Sequence, residues 1–135
     1  MRKLSWCLPL LLLAGCQNSV TQVSQPTAQQ QIKQLSALIA GAHYLQKDCQ
    51  RTDVPDEAIL VKTALKLATE RHWDINTPAY QLLGEHSQKR YQMLVKENNA
   101  DQQLCTELNL LMVDFVHEAQ RSAAQRKITP RCNKS

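Results

Sequence analysis

The apolar residues of this chain recur at helical spacing in four successive stretches. In the first, Gln31, Leu35, Leu38, Ala42, Leu45 and Cys49 step by fours and threes, and Ile32 and Ile39 widen the stripe. Such a face covers an arc of about 140°, wide enough to meet more than one neighbour. It predicts a helix over Ala28–Gln50. A second helix is expected from Pro55, which suits a first helical position, to Trp73, with Leu60, Val61, Ala64, Leu65, Leu67 and Ala68 facing inward. A third follows the Thr77-Pro78 start signal and runs to Glu97, carrying Tyr80, Leu83, Ser87, Tyr91 and Leu94 on one stripe. Gly84 lies on that stripe and marks either a close helix crossing or a break. Leu82 and Met93 fall on the opposite face. The fourth helix, Gln102–Arg126, has the clearest period: Leu104, Leu108, Leu111, Met112, Phe115, Val116, Ala119 and Ala123. Arg51 to Val54, Asp74 to Asn76 and Asn98 to Asp101 supply the turns.

Four helices with short connections predict an all-α fold, a four-helix up-down-up-down bundle. That order places the end of helix one and the start of helix four at the same pole, so Cys49 and Cys105 are the expected disulfide. Cys132 would lie at the other pole. A bridge over about 57 residues is worth roughly 4 kcal/mol in the chain-entropy picture.

Upstream of the helices, Arg2 and Lys3 precede an apolar run, Leu4 to Leu13, too short to span a bilayer as a mature helix. The run closes on Leu13-Ala14-Gly15-Cys16, which resembles a bacterial lipoprotein cleavage box. The resemblance implies cleavage before Cys16, lipidation of Cys16, and periplasmic exposure, where disulfides are permitted. Gln17 in place of Asp implies sorting to the outer membrane by the lipoprotein sorting machinery. The expected organisation is therefore a signal peptide over 1–15, a lipidated cysteine and flexible tether over 16–30, a helical domain over 31–127 and a basic tail over 128–135. The Gln run from Gln29 fits either the tether or the first helix.

Cutting 15 of the 135 residues leaves 120, enough for one domain with one core. Two of the 16 basic residues leave with the signal, so 14 face 12 acids, a net charge near +2. That excludes an electrostatic case for nucleic acid. His43, His72, His86 and His117 show no metal-binding spacing, and no phosphate loop or nucleophile constellation is present. Neither an enzyme, a metal nor a cofactor beyond the covalent lipid on Cys16 is expected. Arg121, Arg126, Lys127, Arg131 and Lys134 follow the last acid, Glu118. They complement the helix dipole as a solvated tail. In the bundle order they would also lie near the tether, where anionic lipid is in reach.

One ordered set of residues resembles a known family, the type II secretion pilotins of the PulS/OutS type. The set is Cys49-Gln50-Arg51, Asp53-Val54-Pro55-Asp56-Glu57, Leu65 with Ala68, and Trp73-Asp74. It continues through Tyr80, Leu83, Ser87, Arg90-Tyr91 and Leu94 to Cys105 and Leu108. The resemblance spans about Leu35 to Phe115, plus the cleavage box; Cys132 and the longer basic tail depart from it. It implies a lipid-anchored protein on the periplasmic face of the outer membrane. Such a protein binds the C-terminal segment of a secretin, protects the secretin and carries it to that membrane. The wide apolar faces then leave two readings for Leu38, Ala42, Leu45, Leu83, Leu94, Leu111 and Met112: contacts in a groove for a guest helix, or plain bundle core. Two other classes compete: a structural envelope lipoprotein, and a periplasmic inhibitor with no secretin partner.

Overall fold

A computed structural model describes residues 25–98 and 101–132, with side chains as far as 125. The expected signal peptide, Cys16, most of the tether, and the side chains of Cys132 and the basic tail lie outside the described residues. Among the described residues the chain is all-helical, with no strand: α1 (Ala28–Lys47), α2 (Glu57–Glu70), a 3-10 segment (Pro78–Leu82), α3 (Leu83–Asn98), α4 (Gln102–Leu111) and α5 (Val113–Cys132).

Local chemistry explains most boundaries. Thr27 caps α1 through a reciprocal box: Gln30 N donates to Thr27 Oγ1 at 3.2 Å, and Thr27 N donates to Gln30 Oε1 at 2.9 Å. The Gln run from Gln29, left open above between tether and first helix, therefore belongs to the helix. Helix α1 stops at Lys47, short of the expected Gln50, and Gln50 takes a left-handed φ of 56°. Asp56 caps α2, so the helix starts at Glu57, two residues after the expected Pro55. That helix ends earlier than Trp73 because His72 adopts φ 63°. The amide of Trp73 then reaches Ala68 O (2.9 Å) and that of His72 reaches Thr69 O (2.9 Å), the paired bonds of a Schellman ending.

Two features correct the sequence reading. The first turns after Thr77 wind as 3-10 helix, and the α geometry starts only at Leu83. Gly84 is not a close crossing, since a Cβ there would meet nothing within 4 Å. The second correction is larger. The expected fourth helix is two helices, broken at Met112 (φ −99°, ψ 5°). Leu110 to Val113 are four apolar residues in a row, and no straight helix can turn all four to one side. The break buries Met112 against α1, where a Cβ on Gly41 would lie 3.1 Å from the Met112 sulfur. It leaves Leu110 and Leu111 outside.

Residue pairs give the directions. Trp73 reaches Gln25 and Val54 reaches Gln46, so α2 runs against α1. Tyr80 reaches Gln31 and Tyr91 reaches Asp48, so the third helical stretch runs along α1. The disulfide Cys49–Cys105, with Cα atoms 5.7 Å apart, and the Met112–Gly41 contact run α4 against α1. Helix α5 turns back. Its Glu118 pairs with Lys66, Gln120 reaches Asp53, and Ala123 and Ala124 lie by Pro55 and Asp56. It therefore heads for the disulfide pole. The expectation that the last helix ends beside the start of helix one, near the tether, is overturned by this reversal.

Helix α1 is the axis of the fold. Leu35, Ile39, Ala42 and Leu45 are fully buried on one side, and Ala40 and Tyr44 are equally buried on the other. A helix covered all round is an internal one. α2 and α3 flank it, and α4 closes its C-terminal half.

Candidate functional site

The reversal at Met112 creates an exposed apolar elbow. Leu110 is 74% exposed, Leu111 72% and Val113 59%, against 8% for Met112 between them. Below the elbow a small cavity of about 140 Å3 is lined by Leu45, Asn109, Val113, Val116 and Gln120. Hydrogen bonds fix the elbow to the α1–α2 loop. The Arg51 guanidinium donates twice to Asp53 (2.8 and 2.7 Å) and also to Asn109 Oδ1 on α4. Gln120 on α5 donates to Asp53 O at 3.1 Å and to Oδ2 at 3.0 Å. The Arg51 hydrogen bond is the main reason the Asp53 carboxyl is pushed down to about 2. Further along, Glu118 sits between Lys66 and Arg121, and the Lys66 hydrogen bond is the main reason that carboxyl lies at about 2.

The other flank of α1 is polar but buried. His43 stacks on Tyr91 with ring centroids 4.2 Å apart, and Tyr91 donates to Asp48 Oδ2 at 2.9 Å. Burial, then the Asp48 bond, pushes the Tyr91 hydroxyl up to about 12. Burial also pulls the His43 imidazole below its ordinary value. Among the described residues no group of His, Cys, Asp or Glu is arranged to hold a metal ion.

The seven apolar candidates do not converge on one surface. Ala42, Leu45 and Leu83 are 0–2% exposed and sit in the core, leaving no face for a guest in this state. Leu38 and Leu94 are half-buried against that core. Tyr91, one turn before Leu94, stacks on His43, whereas Met112 rests on Gly41. Residues two apart point to nearly opposite sides of a helix, so Leu94 and Met112 flank α1 on different sides. Leu38 is one turn from Gly41 and shares the Met112 side. Leu110 and Val113 escape a stripe analysis because they fall off the stripe. The unbroken apolar run Leu110–Val113 is the signal that marks them.

Fold and site together define a small disulfide-clipped helical body with an apolar surface held ready for contact. No helix among the described residues is long and apolar enough to cross a membrane. The comparisons with known proteins agree in class. The chain matches the family described as type II secretion system pilotin lipoprotein (PulS_OutS) over residues 13–117, and it belongs to that family. It is 36% identical over 114 residues to Pilotin OutS of Dickeya dadantii (strain 3937), covering 78% of this chain and 84% of the relative. It is 30% identical over 111 residues to Pullulanase secretion protein PulS of Klebsiella pneumoniae, covering 81% and 87%. Among solved structures it is similar to a chain of a pilotin/secretin peptide complex, with TM-score 0.67, 34% identity, and 70% of this chain and 98% of that chain covered. A second is a chain of the Klebsiella pneumoniae type II secretion system outer membrane complex of PulD, PulS and the PulC HR domain, with TM-score 0.62 and 27% identity; 68% and 97% are covered.

Proposed function

We propose that this protein is a pilotin of the outer membrane, a binding protein and not an enzyme. Residues 1–15 direct export, Cys16 carries the lipid, and the helical body captures the C-terminal segment of a type II secretion secretin. The captured secretin is shielded and delivered to the membrane that holds the anchor. In this reading α1 to α4 supply the four alternating helices of an up-down-up-down bundle, and α5 is an added strut along α2.

The observation that carries the reading is the exposed apolar elbow on a chain of this family. The guest, an amphipathic helix, lays its apolar face on Leu110, Leu111 and Val113, with Met112 and Leu38 on the same side of α1. Met112 suits the role because its thioether adapts to a new neighbour. The test is capture of a secretin C-terminal peptide by Leu111→Glu and Leu45→Glu variants. Leu111→Glu places a charge on an open surface, so stability should stay within about 0.5 kcal/mol while capture is lost. Leu45→Glu buries a charge in the core and should unfold the body. Full capture by a folded Leu111→Glu protein would exclude the elbow. A Cys16→Ala protein that still fractionates with outer membranes would exclude the anchor.

A further inference from the structure

A second cleft lies between the first turns of α1 and the middle of α3, on the flank of α1 away from the elbow. It encloses about 450 Å3, inside the roughly 300–1,000 Å3 range of ligand sites. Ile32 and Met93 give it an apolar floor and wall; Lys33, His86, Lys89 and Arg90 give it a basic rim. No acid lines it. Elsewhere Arg51 pairs with Asp53, Lys66 with Glu70 and Glu118, and Arg121 with Glu118, whereas Lys47, Lys62, Arg71 and Lys96 also form no ion pair among the described residues. Lys33, Lys89 and Arg90 have no ion pair among the described residues, although Glu85 stands one turn from Lys89. Met93 is 55% exposed beside them. Unpaired cations around an apolar patch match a ligand with an anionic head and an apolar body.

The position of the cleft selects the ligand. It opens beside the first turns of α1, at the pole where the chain leads back through Gln25 toward Cys16. The nine residue steps from Cys16 to Gln25 reach at most about 32 Å. A lipid at Cys16 therefore keeps this pole within one short tether of the bilayer. A captured secretin helix at the elbow would occupy the other flank.

We propose that this cleft docks the anionic phospholipid headgroups of the bilayer that holds the anchor. Lys33, Lys89 and Arg90 take the phosphates, and Ile32 and Met93 meet the acyl boundary. The inference rests on the lipid-anchored reading above. Docking would hold the body in one orientation on the membrane, with the elbow free.

Amine-labelling footprinting of the lipidated protein tests this. The protein is placed in phosphatidylcholine vesicles with or without phosphatidylglycerol. Lys47, exposed at the far end of α1 some 21 Å from Lys33 along the axis, is the internal reference. With phosphatidylglycerol, Lys33 and Lys89 should label about five-fold more slowly than in the neutral vesicles, and salt should remove the effect. Lys47 should not change. The double variant Lys89→Gln/Arg90→Gln should lose the protection of Lys33 yet capture the secretin peptide as before. Equal labelling in both vesicles overturns the proposal, as does equal protection of Lys47. So does protection of Lys33 by the secretin peptide alone, which would make the cleft a peptide site. A protein that floats with neither vesicle overturns both this proposal and the anchor. Protection that survives a failure of peptide capture upholds the cleft while the pilotin reading falls.

Discussion

Replacing both Cys49 and Cys105 with Ala should remove a large share of the stability of the body, and should do so unevenly. The bridge closes a sequence separation of 56 residues that contains all of α2 and α3. Constraining a loop of that length in the unfolded chain is worth roughly 4 kcal/mol. A small domain of this kind has about 5–15 kcal/mol in total. At about 4–8 °C per kcal/mol for a domain of this size, the midpoint should fall by roughly 15–30 °C. The structure says where the loss is felt first. α4 has ten residues, too few to hold a helix alone, and apart from Cys105 it buries chiefly Leu108, with Met112 at its end. Those two side chains supply about 1.5–3 kcal/mol each. Without the bridge α4 should open below the global transition, and the elbow should lose its shape. Circular dichroism gives the midpoint, and hydrogen exchange gives the order. Both cysteines must be replaced together, because a single survivor could pair with Cys132. A double variant that melts within about 1 kcal/mol of the parent, with α4 amides exchanging no faster than those of α1, would refute the reasoning.

Four further outcomes rest on the geometry. His72 spends a left-handed backbone at the end of α2, so His72→Gly should raise stability by up to about 1 kcal/mol, read by urea denaturation. Tyr80→Phe strips the buried 2.6 Å bond to Gln31 Oε1 and should cost about 1–2 kcal/mol, while Tyr91→Phe should also remove a high-pH effect. The Tyr91 hydroxyl, held up to about 12, gives stability that is full below pH 10 and lost as pH rises through 12; a pH–stability profile of the variant should be flatter there. His43 has the opposite sign: its lowered value gives stability present above about pH 6.5 and lost as pH falls below it, so His43→Phe should flatten the acid side of the same profile.

The helical pattern was legible because each amphipathic stretch repeats over several turns and carries its own cap. The disulfide was legible because antiparallel order brings Cys49 and Cys105 to one pole, whatever becomes of the last helix. The break at Met112 was not. Leu111 and Met112 both fit the inner stripe of a straight helix, and the choice between them is made by Gly41, about seventy residues away, which leaves room for one sulfur. Groove and core were indistinguishable in the sequence for a related reason. A wide apolar face reads alike whether it waits for a guest or sits at the centre of the body. Ala42 and Leu45 belong to a helix whose far side, at Ala40 and Tyr44, is also covered. The basic cleft was missed because Lys33 and Lys89 are far apart in sequence and look like ordinary surface lysines until α3 is laid along α1.

The fold-back of α5 also gives the molecule a built-in polarity. The chain enters the described body at Gln25, beside Trp73, and α5 departs past Asp56, at the pole that holds the disulfide. A partner domain or reporter joined after the last helix is thus carried at the pole opposite the one where the chain enters. The same cargo inserted before Thr27 would sit at the pole where the chain enters the body. Two fusions with identical composition would place their cargo at opposite heights above whatever surface holds the N-terminus.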